Sequence, residues 1–251
     1  RVQDGAATIA VDGEEIALTD IEAELDFASA AAVAVEGTGK SKGAPLAVTG
    51  EVSAARQSLE IKAEAIEAMD YQAFLPAGTL PAEIEPQALY IDEAALKLVR
   101  EGEDLSLAGD VRLSRAKALV YGTAVEASRG LVVFSGKEAR VFLRASAEEQ
   151  QASLHGKIDW YEEAPRFNFI VESAAFDPSK VLAQSPFEGT VRVFASVYGT
   201  MQDWKIDGEF DVPAGTLYGT ALTGAKAKVH YEAGLLTASG AASALGGSFE
   251  G

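Results

Sequence analysis

Thr19 to Phe27 reads TDIEAELDF, and in it Ile21, Ala23, Leu25 and Phe27 alternate with Asp20, Glu22, Glu24 and Asp26. A period of two puts the four apolar side chains on one face of a strand and the four carboxylates on the other. The same division runs through SLEIKAEAI, where Leu59, Ile61, Ala63 and Ala65 oppose Glu60, Lys62 and Glu64. It returns in TVRVFASVYG, with Val191, Val193, Ala195 and Val197 on one side. Glycine turns such as Asp12-Gly13, Gly37 to Gly43, Gly102, Gly136 and Asp207-Gly208 punctuate these runs. Runs of four to eight residues bounded in this way predict an all-β chain of hairpins and meanders, with roughly fifteen to eighteen strands. Helix is scarce. DPSKVLAQ offers Asp177 as a cap and Pro178 at the first helical position, and EAMDYQAFL (Glu67 to Leu75) is a second short candidate stopped by Pro76.

A chain of 251 residues with 48% hydrophobic content can build a core without crosslinks. A formal charge of −17 argues against nucleic acid as a partner, because phosphate binding needs clustered Lys and Arg. It argues equally against an anionic bilayer surface. With no cysteine there is no disulfide, thiolate chemistry or Cys-ligated zinc. No run of 18 apolar residues is long enough to span a membrane, and no signal peptide is present. The chain opens at Arg1 and stops at GGSFEG, where a Gly turn and a new strand have just begun, so it reads as a segment whose anchor lies elsewhere.

GDVRLSRAKALVYGTAV (Gly109 to Val125) returns as GEFDVPAGTLYGTAL (Gly208 to Leu222), a strand, a turn and a Tyr-Gly-Thr-Ala box about a hundred residues apart. LEIKAEAIEAMDYQAFLP (Leu59 to Pro76) and FNFIVESAAFDPSKVLAQSP (Phe167 to Pro186) likewise share a strand, a small-residue bend, a short helix and a closing Pro. The chain thus reads as one continuous repetitive β-domain over 1–251, with approximate units 1–80, 81–186 and a truncated 187–251. Neighbouring units would bury one another's apolar faces. Gly122 and Gly219 allow a positive φ or a close backbone approach, so the box is expected to be a bulge or sharp bend after the Tyr: a corner in the sheet and not a site.

The order of Gly, small and apolar residues, above all GLLTASGAASALGGSFEG (Gly234 to Gly251), resembles the AsmA-like superfamily of bacterial envelope proteins and within it the TamB-like group. That resemblance covers nearly the whole chain through its repeats. It implies an elongated, curved antiparallel sheet forming a U-shaped or taco-like groove with an apolar interior, in the periplasm of a diderm bacterium. It implies a bridge along which phospholipid moves between inner and outer membranes, anchored to the inner membrane by a segment outside this chain. An outer-membrane β-barrel partner would meet another region absent from this segment. The residue pattern supports the lipid reading independently. Acyl chains gain about 0.8 kcal/mol per buried CH₂ and need a continuous apolar surface. The opposite face, rich in Asp and Glu, would keep such an object soluble.

The alternation selects Leu25, Phe27, Ile61, Leu107, Leu113, Val133, Leu143, Phe169, Val193, Ile206 and Phe210 as the groove-lining residues. A slip of one residue in register would invert any of these strands. No catalytic or metal-ligating set emerges, no cofactor is expected and the chain is read as not an enzyme. GTGKSKG (Gly37 to Gly43) contains Gly-Lys-Ser, but a phosphate loop needs a Gly where Ala34 stands and a helix afterwards, and Pro45 with PLAVTGEV follows instead. It also matches G-x-S-x-G at Ser41, yet that elbow belongs to a strand-to-helix turn, so a hairpin turn is the better reading. His155 and His230, each beside a turn or within a strand, read as solvent-facing positions. The pairs Glu14-Glu15, Glu148-Glu149 and Glu162-Glu163 are adjacent in sequence and point to opposite faces of a strand. Trp160, Tyr161, Phe167 and Phe169 around Pro165, and Tyr198 with Trp204, read as core packing or groove rim. A second functional class is a scaffold or chaperone for outer-membrane protein or autotransporter assembly that offers an exposed sheet edge to a client strand. A β-solenoid ranks last, because stacked Asn ladders are usual there and Asn168 is the only Asn.

Overall fold

The structure, a computed structural model, describes residues 1–251 apart from 12–13, 30–31, 71–83, 121, 148–149, 161–163, 182–184, 201, 245–246 and 251. Among the described residues the chain forms seventeen strands and one four-residue helix, the all-β class that the alternation predicts. It divides into two compact units, Arg1–Ala118 with Arg129–Ala139, and Leu119–Ser128 with Arg140–Gly251.

The first unit begins as an antiparallel meander. β1 (Val2–Val11) pairs with β2 (Glu14–Ser29), and β2 with β3 (Ala32–Ser41). β4 (Ala44–Ser53), β5 (Arg56–Glu67) and β6 (Ile84–Glu101) follow in order, each on its predecessor. β7 (Asp104–Val120) lies against β6, with Arg112 Nη1 2.9 Å from Glu93 Oε2 and Arg115 over the Tyr90 ring. Strands β7, β8 (Thr123–Gly136) and β9 (Glu138–Ala147) contribute residues to both units. The hairpin joining β3 to β4 turns on Lys42 and Gly43, both with positive φ, which makes GTGKSKG a strand, a tight turn and a strand. Lys42 Nζ reaches the Asp70 carbonyl at 2.5 Å.

In the second unit β10 (Gln150–Asp159) pairs with β11 (Arg166–Phe176), and β11 with β13 (Val191–Thr200). β14 (Trp204–Leu217), β15 (Thr220–Glu232), β16 (Leu235–Ala244) and β17 (Gly247–Glu250) complete the meander. The three-residue β12 (Phe187–Gly189) pairs with the far end of β14. The helix α1 (Pro178–Val181) starts where the Asp177 cap predicts it: Asp177 Oδ1 accepts from the Ser179 amide at 3.0 Å and the Ser179 hydroxyl at 2.6 Å. The second helix candidate is a single 3₁₀ turn over 68–70, and the rest of it lies outside the described residues.

Bulges keep the apolar residues in phase. On β2 the register with β3 slips between Thr19 and Glu22, at Asp20 with φ 54°. Leu18 pairs with Ser41 and Ala23 with Gly37, so both stay on one face although their numbers differ in parity. On β11 the slip falls between Ser173 and Phe176, whose partners Val193 and Val191 share a face. On β15 it falls between Thr223 and Lys226, beside Gly224 at φ 60°. Ala65, at φ 53°, marks a similar change of phase in β5, where Ile61 and Ala63 give way to Ile66.

The Tyr-Gly-Thr-Ala box has a different role from the expected corner. Tyr218 (φ 49°) and Gly219 (φ 75°) are the two central residues of the β14–β15 hairpin, closed by the Leu217–Thr220 pair, and Tyr218 is 84% exposed. Two successive positive φ values reverse the chain in two residues, which a bulge inside a strand does not do. In the first copy Gly122 also has positive φ (78°) between β7 and β8, while Tyr121 lies outside the described residues.

These backbone assignments have opposite consequences at two sites. Replacing Gly219 by Ala should cost about 1 kcal/mol, because a Cβ is disfavoured in the left-handed region, whereas Ala65→Gly should stabilise by a similar amount. Urea unfolding of both variants checks this, and a stabilised Gly219→Ala would contradict the turn assignment.

Candidate functional site: an apolar sheet face

Antiparallel partners share a face, so the register shows which residues stand side by side. In the first unit Leu25, Val35, Gly50, Leu59 and Leu98 form one cross-strand row from β2 to β6. Beside it runs Ala23, Gly37, Val48, Ile61 and Leu96. A third row holds Gly39, Leu46, Ala63 and Ala94. The second unit repeats the arrangement. Gly156, Phe169, Val197, Ile206, Tyr231 and Leu236 form one row, and Leu154, Val171, Ala195, Gly208, Val229 and Ala238 the next. Ser173, Val193, Phe210, Ala227 and Gly240 form a third. Two aromatic stacks stand on this face, Phe167 with Phe169 at 5.7 Å and Trp204 with Tyr231 at 4.8 Å between ring centroids.

Little covers these rows. The buried apolar residues, among those described, are five alanines and two valines: Ala44, Ala63, Ala94, Ala139, Ala195, Val141 and Val191. A two-layer domain buries Leu, Ile and Phe between its layers. Here Leu25 remains 49% exposed and Leu236 62%, and Ile61, Phe169, Ile206 and Phe210 are only half-buried.

Most of the residues that the alternation selects fall on this face. Leu25 and Ile61 lie in adjacent rows of the first unit, and Leu107 and Leu113 lie on β7 in phase with Gly109, which sits against Leu96. Phe169 and Ile206 share one row of the second unit, and Val193 faces Phe210 in another. Val133 is half-buried on β8, and Leu143 is half-buried on β9 two residues from buried Val141. Phe27 stands apart, 69% exposed beside a bulge between Asp26 and Ser29. Leu59 and Val197, which the alternation puts on the apolar side, join these rows and Trp204 stands on the same face, whereas Leu96, Leu98 and Tyr231 were not singled out although their periodicity was in the sequence. Tyr161 lies outside the described residues, and Tyr198 and Trp204 prove to occupy opposite faces.

The other face is a lattice of directly opposed charges. Lys97 meets Glu60 at 3.2 Å, Arg56 meets Glu101 at 3.2 Å, Lys228 meets Glu209 at 3.3 Å and Arg192 meets Asp211 at 3.4 Å. Such exposed pairs contribute at most about 1 kcal/mol each, so their main effect is to favour this register. Glu22, Glu24 and Asp26 lie exposed on this face. In the second unit Asp207 accepts from the Tyr198 hydroxyl at 2.8 Å and lies 2.7 Å from His230 Nδ1. His230 Nε2 is 3.4 Å from Glu232, which also pairs with Lys205. Hydrogen bonds to Asp207 and then Glu232 raise the His230 pKa; bonds from His230 and then Tyr198 lower that of Asp207, and bonds from Lys205 and then His230 lower that of Glu232. The network gives no nucleophile to His230. Ser41 stands 2% exposed at the β3 terminus. Among the described residues no three His, Cys, Asp or Glu side chains converge as a metal site.

No known family, characterised protein or solved structure matches this chain. Its function must be argued from the two faces themselves. Among the described residues no helix is long and apolar enough to cross a membrane.

The His230 network has a definite pH signature. Its raised folded pKa means that its contribution is fully present below the ordinary imidazole value of about 6.5 and is lost as pH rises through the folded value. The lowered carboxyl values of Asp207 and Glu232 mean that their share is present above about pH 4.5 and is lost as pH falls through their folded values. The β14–β15 pairing should therefore be tightest between about pH 4.5 and 6.5. An NMR titration of His230 should give a midpoint above the ordinary value and fall toward it in Asp207→Asn; an unmoved midpoint would show that the pair does not hold the proton.

Proposed function

We propose that this chain is a segment of a bridge-like lipid-transfer protein, in which one sheet face shelters the acyl chains of phospholipid passing between the inner and outer membranes of a diderm bacterium. The observation that carries this reading is the uninterrupted apolar rows across neighbouring strands with little burial over them. Strands spaced about 4.8 Å apart make a five-strand row roughly 19 Å long, more than the ~15 Å that one leaflet allots to an acyl chain. One row can therefore shelter a whole chain. A soluble domain with a fixed core would cover such a surface with a second layer, and a specific small-molecule pocket would enclose it.

Chemistry favours the acyl chain over other apolar ligands. The rows carry methyl, methylene and aromatic carbon, with the Ser173 and Tyr231 hydroxyls as exceptions, while the opposed ion pairs lie on the opposite face. The headgroup would then remain in water beyond the rim and the chains alone would be shielded. The excess of acid in a chain of net charge −17 fits a path that carries lipid without adhering to anionic bilayers. The resemblance to the AsmA-like, TamB-like group supports a periplasmic setting, an inner-membrane anchor and an outer-membrane partner supplied by regions outside this segment. No catalytic step is part of this function.

Photo-crosslinking amino acids at Ile61, Leu107, Phe169 and Phe210, compared with Glu60 and Glu209 on the opposite face, test it in a diderm bacterial host. Lipid adducts are expected at the first four positions and absent from the other two. Adducts distributed equally over both faces, or protein adducts alone, would sink the reading; the latter would point to a scaffold for client strands.

A further inference from the structure

Several apolar-face glycines stand at unusually close approaches. A Cβ placed on Gly50 would lie 2.1 Å from Ser58 O and 2.9 Å from Leu59 Cα, both backbone atoms of the neighbouring strand. At Gly109 the same atom would lie 2.0 Å from Ala95 O, at Gly156 2.1 Å from Asn168 O, and at Gly199 2.2 Å from Asp203 O. Real side chains do not tolerate such distances, so each position excludes alanine unless the backbone moves. Gly50 has no positive φ, and its need for glycine is purely one of space.

The direction of the clash carries the inference. A Cβ projects from the face to which its residue belongs, and Gly50 belongs to the apolar face through its partners Val35 and Leu59. If that Cβ meets the next strand's backbone, the next strand is raised toward the apolar side. The sheet is therefore folded toward that side at β4–β5 and, by the same geometry, at β10–β11, whereas Gly109 (φ 122°) and Gly199 (φ 131°) owe their close approaches to a backbone that itself requires glycine. Both steps set the glycine against the backbone of a large residue, Leu59 or Phe169, and at Gly156 the Phe169 ring also comes within 2.8 Å of the missing Cβ.

We propose that Gly50 and Gly156 are positioning residues that curve the apolar face of each unit and thereby set its fit to an acyl chain. The second half of this proposal rests on the lipid reading above; the first half does not. A flat sheet touches a cylindrical chain along a line, whereas a folded one surrounds it and removes more of its CH₂ surface from water. Alanine at these positions spreads the strands and flattens that contact.

Gly37 supplies the control. It lies on the same face in the adjacent row, but a Cβ there would meet its nearest neighbours, Glu22 O and Ala23 Cβ, only at 3.3 Å and 3.5 Å. Gly37→Ala thus adds a methyl to the face and leaves the curvature alone. The full chain and its Gly37→Ala, Gly50→Ala and Gly50→Ala/Leu59→Ala forms are compared by amide hydrogen exchange along β4–β5 and by fluorescence titration with cis-parinaric acid. Gly50→Ala should speed exchange on β4–β5 about tenfold, as overpacking strain does, and weaken parinarate binding by a similar factor. Gly37→Ala should leave exchange on β4–β5 near its unaltered rate. Leu59→Ala should not rescue Gly50→Ala, because the obstruction is backbone. Equal exchange on β4–β5 in the two alanine variants, or rescue of that exchange by Leu59→Ala, overturns the proposal. If the unaltered chain binds no parinarate, the lipid reading fails while the exchange comparison still decides whether Gly50 sets the curvature. Should Gly50→Ala not fold, Gly240→Ala, with a milder 2.6 Å approach to Lys226 O, gives the same comparison on β15–β16 with the same two outcomes.

Discussion

The pairing of apolar with apolar across each antiparallel step is the constraint on which the rest depends. Leu59 faces Gly50 and Leu98; Phe169 faces Gly156 and Val197; Ile206 faces Val197 and Tyr231. Each cross-strand contact is worth only a few tenths to about 1 kcal/mol. Their repetition fixes the register, since a slip of one residue would set Glu60 and Lys62 among the leucines. The opposed ion pairs on the outer face enforce the same register from the other side, as Lys97 meets Glu60 only when Ile61 meets Leu96. Two faces of opposite character are thereby held in step across each unit.

Most proteins close such a face with a second layer, and the burial pattern here departs from that. Alanines and two valines are what the described residues bury among apolar side chains, while leucines and phenylalanines in the rows keep much of their surface. Apolar surface in water carries a cost of roughly 25 cal/mol per Å². A sheet that keeps this exposure across row after row is suited to an apolar partner that comes and goes. Lipid chains satisfy that requirement without asking for shape-specific contacts, which agrees with rows varied in residue type but constant in character.

The division of faces was legible in TDIEAELDF alone, because a strand has one period and the apolar residues obeyed it. The all-β class, the scarcity of helix, the Asp177 cap and many of the residues on the apolar face follow from that periodicity and from local capping chemistry. The bulges were not legible. Asp20 and Ala65 take positive φ without being glycine; Asp is tolerated there more often than most residues but does not mark the position, and nothing about an Ala announces a left-handed backbone. Alternation therefore lost phase beyond them, and Phe27, beside another bulge, was placed in rows it does not join. The Tyr-Gly-Thr-Ala box misled for the opposite reason: its glycine announced a special conformation, but the sequence did not say whether the chain bends or reverses. The pairing of Leu217 with Thr220 makes it a reversal. The close approaches at Gly50 and Gly156 also lay beyond sequence reading, since a glycine needed for space looks the same as one needed for a turn.

Native mass spectrometry of the chain purified from a diderm bacterium under gentle conditions puts the central claim to the most direct test. The chain should carry adducts of phospholipid mass that are released on collisional activation. These should be absent from an Ile61→Arg/Ile206→Arg variant that retains its strand signal in circular dichroism. A spectrum of the bare chain alone, or adducts that persist unchanged in the double variant, would contradict a lipid-sheltering role for the apolar face.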